Sequence, residues 1–336
     1  MATIHDVAQR AGVSPITVSR VINHSGYASP ETRARVESAA AELGYVPNRL
    51  ARSLRSKRTH TLALVITDIT NPFFTTVARG VEDTASDAGY TVIFCNTDES
   101  ESEEKKYLQV LLQQQVDGIL LVPARSTPDS IELIRKQNTP VVVLDRRLPP
   151  GASVDTVRCE NEAGAYQLVR LLIELGHRRI AILSGPRGVS TAEDRLAGYR
   201  RAMSESGFDA ESQIVVYGSF NQASGSEMMR QVLDRDPRPT AIFAANNLIA
   251  IGALHAIQQA GLRVPEDIAL VTFDDLPPTL LTSPFFTVAS QPAYEMGKRA
   301  TQLLLARLAG AAAELCQEII LPTELIVRQS SGSTLS

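Results

Sequence analysis

Asn71-Pro72-Phe73-Phe74, Asp145-Arg146, Asn246 and Asp274 are the residues whose types and placement could do chemistry. Each stands just beyond a short apolar run, at 62–67, 141–144, 241–244 and 268–273 respectively. Together they supply carboxylates, carboxamides, a guanidinium and two aromatic faces. Carboxyl and amide groups accept from and donate to vicinal hydroxyls, and rings cover C–H faces, which is what a sugar requires. For any one of these residues a helix cap after a strand is the plainer reading. The set, recurring at equivalent places, is harder to dismiss.

Catalytic signatures are missing. The chain has no G-x-G-x-x-G, no Walker A, no G-x-S-x-G and no H-E-x-x-H. Gly185-Pro186-Arg187-Gly188 is glycine-rich, but it is too short and proline-bearing to cradle a dinucleotide. The histidines, His177 and His255 among them, have no metal-ligand spacing. Cys95, Cys159 and Cys316 are odd in number and far apart, as expected of reduced core thiols and not of a disulfide framework or zinc site. Neither cofactor nor metal is expected, and an enzyme is the weaker reading.

The elements that must position these residues alternate. Apolar runs at 62–67, 91–95, 118–122, 141–144, 180–184, 241–244 and 268–273 are separated by helical patterns such as 73–88, 103–115, 160–175 and 248–260. Such alternation predicts α/β layers on parallel sheets. So many strands predict two doubly wound subdomains, with a ligand in the cleft at the carboxyl ends of their strands.

Residues 1–46 differ in character. Thr3 with Asp6 resembles a capping box, and Ile4, Val7, Ala8 and Ala11 mark one face of a short helix that Gly12 stops. Ser14 caps a second helix with Pro15 at its first position; Val18, Val21 and Ile22 form its apolar face. Ser29-Pro30 starts a third, which buries Val36, Ala39, Ala40 and Leu43. This is a helix-turn-helix pattern. Its second helix would offer Pro15, Ile16, Thr17, Ser19 and Arg20 to a DNA major groove. Arg20 suits guanine O6/N7, Ile16 a thymine methyl, and Thr17 and Ser19 phosphates. A three-helix protein-interaction domain is the alternative.

Charge favours DNA. Residues 1–60 carry nine Lys or Arg against four Asp or Glu, a balance of +5, which leaves −9 for the rest of a chain whose total is −4. A basic head on an acidic body calls for a polyanion at the head alone. The segment from Pro47 to Arg58 is basic and free of acids. It reads as a brief helix capped by Asn48, with Leu50 and Leu54 on one face; a solvated basic linker is the competing reading. At about a dozen residues it should not be stable unaided, and it should fold where phosphates neutralise Arg49, Arg52, Arg55 and their neighbours. No apolar run suffices to span a bilayer, and the N-terminus lacks signal-peptide character, so a soluble, cytoplasmic protein is expected.

Thr3-Ile4-His5-Asp6-Val7-Ala8, Gly12-Val13-Ser14, Thr17-Val18-Ser19-Arg20-Val21-Ile22-Asn23 and Gly44-Tyr45-Val46-Pro47-Asn48 closely resemble the lac-repressor (LacI) family of bacterial transcription regulators. The resemblance extends over nearly the whole chain. It implies that Thr3, Ser14, Asn23, Asn48, Arg49 and Arg55 join the residues above at DNA. It also implies that residues 47–58 form a hinge helix that pairs with its copy in the minor groove, with Ala51 on the pairing face and Leu54 wedged into a base step. In the body it implies a periplasmic-binding-protein-like domain whose sugar contacts fall on Asn71, Phe73, Phe74, Asp145, Arg146, Arg195, Asn246, Asp274 and Gln291, with Phe220 on a looser match.

Two positions depart from the family pattern. Asn247 stands where an Asp is usual, a change that bears on capping or ligand charge; Pro123-Ala124 stands where some pentose binders carry a carboxamide, so ribose is not named as the ligand. The resemblance divides the chain into a DNA-binding domain at 1–46, a hinge at 47–58 and an effector domain at 59–331. One subdomain would take about 59–158 and 290–320, the other about 159–289 and 321–331. No leucine heptads follow the last strand, so a homodimer and not a tetramer is expected. The expected function is a repressor that binds an imperfect palindromic operator in double-stranded DNA under the control of a small-molecule effector, a sugar or sugar derivative. The alternatives are a purine-type corepressor and, in another class, a Rossmann-like enzyme with a regulatory DNA-binding head.

Overall fold

The computed structural model describes residues 2–23, 25–46, 58–149, 151–277, 284–311 and 315–332. The chain forms two compact units, Met1–Thr59 and His60–Ser336.

The first unit holds α1 (Ile4–Ala11), α2 (Pro15–Ile22) and α3 (Pro30–Glu42). Their ends are fixed locally. Thr3 and Asp6 form the reciprocal capping box, and Gly12 closes α1 in the left-handed region at φ +64°. Ser14 and Ser29 each accept from the backbone N–H three residues on, and a proline follows each of them. Val7, Ala8, Ala11, Val18, Val21, Val36 and Ala39 make the core. Leu43, expected in that core, is instead 38% exposed at the end of α3. The helix closes there and Tyr45 packs against the core instead.

The second unit contains two six-stranded sheets. The first takes β1 (Thr61–Ile66), β2 (Thr91–Asn96), β3 (Gly118–Leu121), β4 (Val141–Leu144), β5 (Asp155–Cys159) and β11 (Glu318–Leu321), in the order β11-β5-β4-β3-β1-β2. The second takes β6 (Ile180–Ser184), β7 (Ile214–Tyr217), β8 (Ala241–Ala244), β9 (Ala269–Phe273), β10 (Thr287–Ser290) and β12 (Glu324–Ile326), in the order β12-β10-β9-β8-β6-β7. All pairings are parallel except β10 with β12.

Helices α4 (Pro72–Asp87), α5 (Glu101–Gln113), α6 (Asp129–Arg135) and α11 (Ala293–Leu308) flank the first sheet. Helices α7 (Asn161–Glu174), α8 (Ser190–Glu205), α9 (Gln222–Leu233) and α10 (Asn247–Gln259) flank the second. Each sheet is covered on both faces, which is why its central strands read as unbroken apolar runs. Helix α11 returns from the second sheet to lie on α4. A Cβ at Gly80 would meet the Tyr294 carbonyl oxygen at 2.2 Å, and one at Gly297 would meet that of Val77 at 2.1 Å. Only glycine lets these two backbones approach so closely. Among the described residues no helix is long and apolar enough to cross a membrane.

Candidate functional site

The strand ends deliver their polar residues in two ways. Asn71 and Asn246 are N-caps: Asn71 Oδ1 accepts from the Phe73 N–H at 3.0 Å, and Asn246 Oδ1 from the Ile249 N–H at 2.9 Å. The capping alternative therefore describes both asparagines, although both also face the cleft. Asp145 and Asp274 cap no helix. Each follows its strand in the left-handed region, at φ +63° and +68°. Each donates its N–H to the adjacent strand, Asp145 to Val157 and Asp274 to Ala289. A non-glycine residue held there costs about 1–3 kcal/mol, and the ladder bond is what fixes it. The two carboxylates thus occupy matching places in the two sheets.

One cleft is lined by all ten ligand residues expected from the sequence: Asn71, Phe73, Phe74, Asp145, Arg146, Arg195, Phe220, Asn246, Asp274 and Gln291. Asp68, Glu99 and Thr191 complete it. Its empty volume, mouth included, is about 370 Å³. Phe73 and Phe74 meet edge to face at 5.1 Å.

The guanidiniums are heavily engaged. Arg146, 1% exposed, donates from Nη1 to the Pro123 and Ala124 carbonyls at 2.7 and 2.8 Å, and from Nη2 to both Glu99 oxygens at 2.5 and 2.7 Å. Arg195 stacks on Phe273 at 3.9 Å, donates to Asn161 Oδ1 and the Ala245 carbonyl, and lies 3.7 Å from Asp274. Gln291 Nε2 donates to Asp274 Oδ1 at 2.5 Å. Burial raises the Asp145 carboxyl to about 6 against the pull of Arg195 and Arg146. Burial raises Asp274 as well, opposed by Arg195 and Gln291. Cys159, beside them, has its thiol pushed up by burial and is inert.

The cleft is bridged directly. Asn247 Nδ2 donates to Asn71 Oδ1 at 3.1 Å. Arg147 donates its N–H to Ser190 Oγ at 2.7 Å and pairs with Asp194 at 2.7 Å, while the Ser190 N–H reaches Ser126 Oγ at 2.9 Å.

In the head, Ser14 and Thr17 hydroxyls bond each other at 2.9 Å, and Asn23 Nδ2 donates to the Ser19 carbonyl and hydroxyl. Those four side chains brace α2, and Thr3 is held by its capping box with Asp6. Pro15 is half-buried, whereas Ile16, at 66%, and Arg20 are exposed. Tyr27, between α2 and α3, is 88% exposed. Asn48, Arg49, Ala51, Leu54 and Arg55 lie outside the described residues.

Residues 3–48 match the profile of the bacterial regulatory proteins, lacI family, and residues 59–328 that of the periplasmic binding proteins and sugar binding domain of LacI family. The chain belongs to the LacI family. It is a DNA-binding transcription regulator with an effector-binding domain. Among LacI-family relatives, it is 39% identical to the ribose operon repressor of Halalkalibacterium halodurans over 331 residues, covering 98% of this chain and 97% of that one. It is 37% identical over 309 residues to the transcriptional repressor PurR of Photobacterium profundum, covering 92% of each. The crystal structure of the lac repressor dimer bound to operator and the anti-inducer ONPF superposes with a TM-score of 0.85 at 29% identity, over 98% of this chain and 99% of that one.

Proposed function

We propose that this regulator is a homodimeric repressor that binds an imperfect palindromic operator and whose effector is a sugar or sugar derivative held between the two sheets. The observation that carries the ligand class is the pair Asp145 and Asp274. One buried carboxylate comes from each sheet, beside the rings of Phe73, Phe74 and Phe220. Buried carboxylates lining one cleft call for hydrogen-bond donors, and rings for C–H faces; a sugar supplies both. The division at 1–46, 47–58 and 59–331, with two subdomains in the last, assigns DNA reading, coupling and ligand binding to separate parts. The lac repressor dimer on its operator supports two-fold pairing here, and two-fold proteins read paired half-sites. The reading is of a cytoplasmic regulator and not an enzyme; turnover of a bound sugar would contradict it.

Calorimetry of the full chain against sugars, polyols, sugar acids and purines, paired with operator binding with and without each binder, tests the proposal. A sugar that binds and changes operator affinity supports it. Binding of purines alone favours a corepressor reading, for which the kinship to PurR is the specific observation.

A further inference from the structure

Glu99 sits at the end of a turn that few side chains would choose. Asp98 and Glu99 both lie in the left-handed region, at φ +49° and +59°. The backbone is pinned there: the Thr97 N–H donates to the Ile66 carbonyl and the Glu99 N–H to that of Thr67. So held, Glu99 reaches over to the Arg146 guanidinium and takes its Nη2 with both carboxylate oxygens. Since Nη1 is spent on two backbone carbonyls, the only Arg146 nitrogen without a partner is Nε.

The charge and hydrogen-bond balance of the cleft follows from this clamp. Four carboxylates line it (Asp68, Glu99, Asp145 and Asp274) against two guanidiniums, so it is two charges more negative than positive when all are ionised. Arg195 is already tied to Asn161, Ala245 and Asp274. Three polar atoms of lining residues are buried without partners: Asp145 Oδ1, Gln291 Oε1 and Arg146 Nε. Two of the three are acceptors. A ligand completes this site by donating hydrogens. A phosphate or carboxylate has only lone pairs to offer and would meet like charge in a desolvated space.

We propose that Glu99 sets the charge selectivity of the cleft: by occupying Arg146 it reserves the site for polyhydroxylated ligands that carry no negative charge, and excludes phosphorylated and carboxylated sugars. The inference rests on the sugar reading above and deepens it. Glu99 acts as a specificity residue, supplying the repulsion against the wrong ligand while Asp145 and Gln291 supply the attraction for the right one.

The test uses the full chain as wild type, Glu99→Gln and Glu99→Gly. Glycine adopts φ +59° freely, so that variant removes the carboxylate without straining the turn. Each protein is titrated calorimetrically with the uncharged sugar that binds wild type best, and with its phosphate ester and sugar acid. Wild type should bind the anionic forms at least about tenfold more weakly than the parent, and the ratio should narrow by about tenfold in both variants. Inorganic phosphate alone should raise the melting temperature of Glu99→Gly and leave wild type unmoved. Wild type binding an anionic form as tightly as the parent, or an unchanged ratio in both variants, would overturn the proposal. If no uncharged sugar binds wild type, the sugar reading itself fails. The phosphate arm then still decides the role of Glu99, because an equal phosphate response in wild type and Glu99→Gly removes it.

Discussion

Asn247 Nδ2 donates to Asn71 Oδ1 across the cleft at 3.1 Å, joining the first residue of α10 to the cap of α4. Both are buried, and the same Asn71 oxygen also accepts from the Phe73 N–H. An Asp at 247 would set a carboxylate against that oxygen, and relief would require the Asn71 amide to turn and give up its cap. Asn247→Ala should weaken ligand binding by about 1 kcal/mol, the net worth of one hydrogen bond. Asn247→Asp should cost more, about 1–3 kcal/mol, because it leaves buried acceptors facing each other. Calorimetry on the two variants orders them; equal affinities for all three proteins would show that the bond does not contribute to ligand binding.

Asp145 gives the protein a pH dependence of calculable sign. Folded, it keeps its proton up to about pH 6 because it is buried; unfolded, it releases it near 3.9. Between those values the folded chain binds more protons, so this group's contribution to stability falls as pH rises through that window, by about 3 kcal/mol in all. Thermal melts from pH 4.5 to 7 should show a steeper loss in wild type than in Asp145→Asn. Ligand binding should run the other way. A hydroxyl donating to Asp145 favours the ionised carboxylate, so affinity should rise from pH 5 to 7. An affinity that instead rose on acidification would mean that Asp145 donates and does not accept.

Asp274→Asn keeps the side chain's size and removes its charge beside Arg195 and Gln291. Sugar hydroxyls would lose a charged acceptor in a desolvated site, which costs about 1–3 kcal/mol. Ligand affinity should drop accordingly, while operator affinity of the ligand-free protein stays close to wild type. A matched drop in operator binding would show a folding defect and not a lost contact.

The sequence showed the strand ends because burial on both faces leaves central parallel strands as apolar runs, and the residue after each run is then conspicuous. It showed less where structure depends on distant partners. Strand β5 carries Asp155 and Arg158 and lacks an apolar run; it exists because β4 and β11 pair with it. Arg195 was found only through resemblance, since nothing local says that a helical arginine will stack on Phe273. Glu99 was missed altogether. Its place over Arg146 depends on two left-handed residues and a turn pinned to the end of β1, and local propensity opposes that conformation.

At the head, Arg20 and Ile16 are the two predicted groove contacts that α2 leaves exposed. Ser14 bonds Thr17 and Ser19 bonds Asn23 along the helix, and none of these bonds uses Arg20. The guanidinium is therefore free to present its fork to a base edge, and a bidentate contact to guanine discriminates by about 1–3 kcal/mol. Arg20→Ala should relax base preference at one position of each half-site by that amount and leave the others unchanged. Ile16→Ala, which removes apolar contact with a thymine methyl, should have a smaller effect at a different position. Selection of operators from a randomised library by the two variants reads both effects. An Arg20→Ala logo identical to wild type would move the recognition surface off this face of α2 and towards the loop that carries Tyr27.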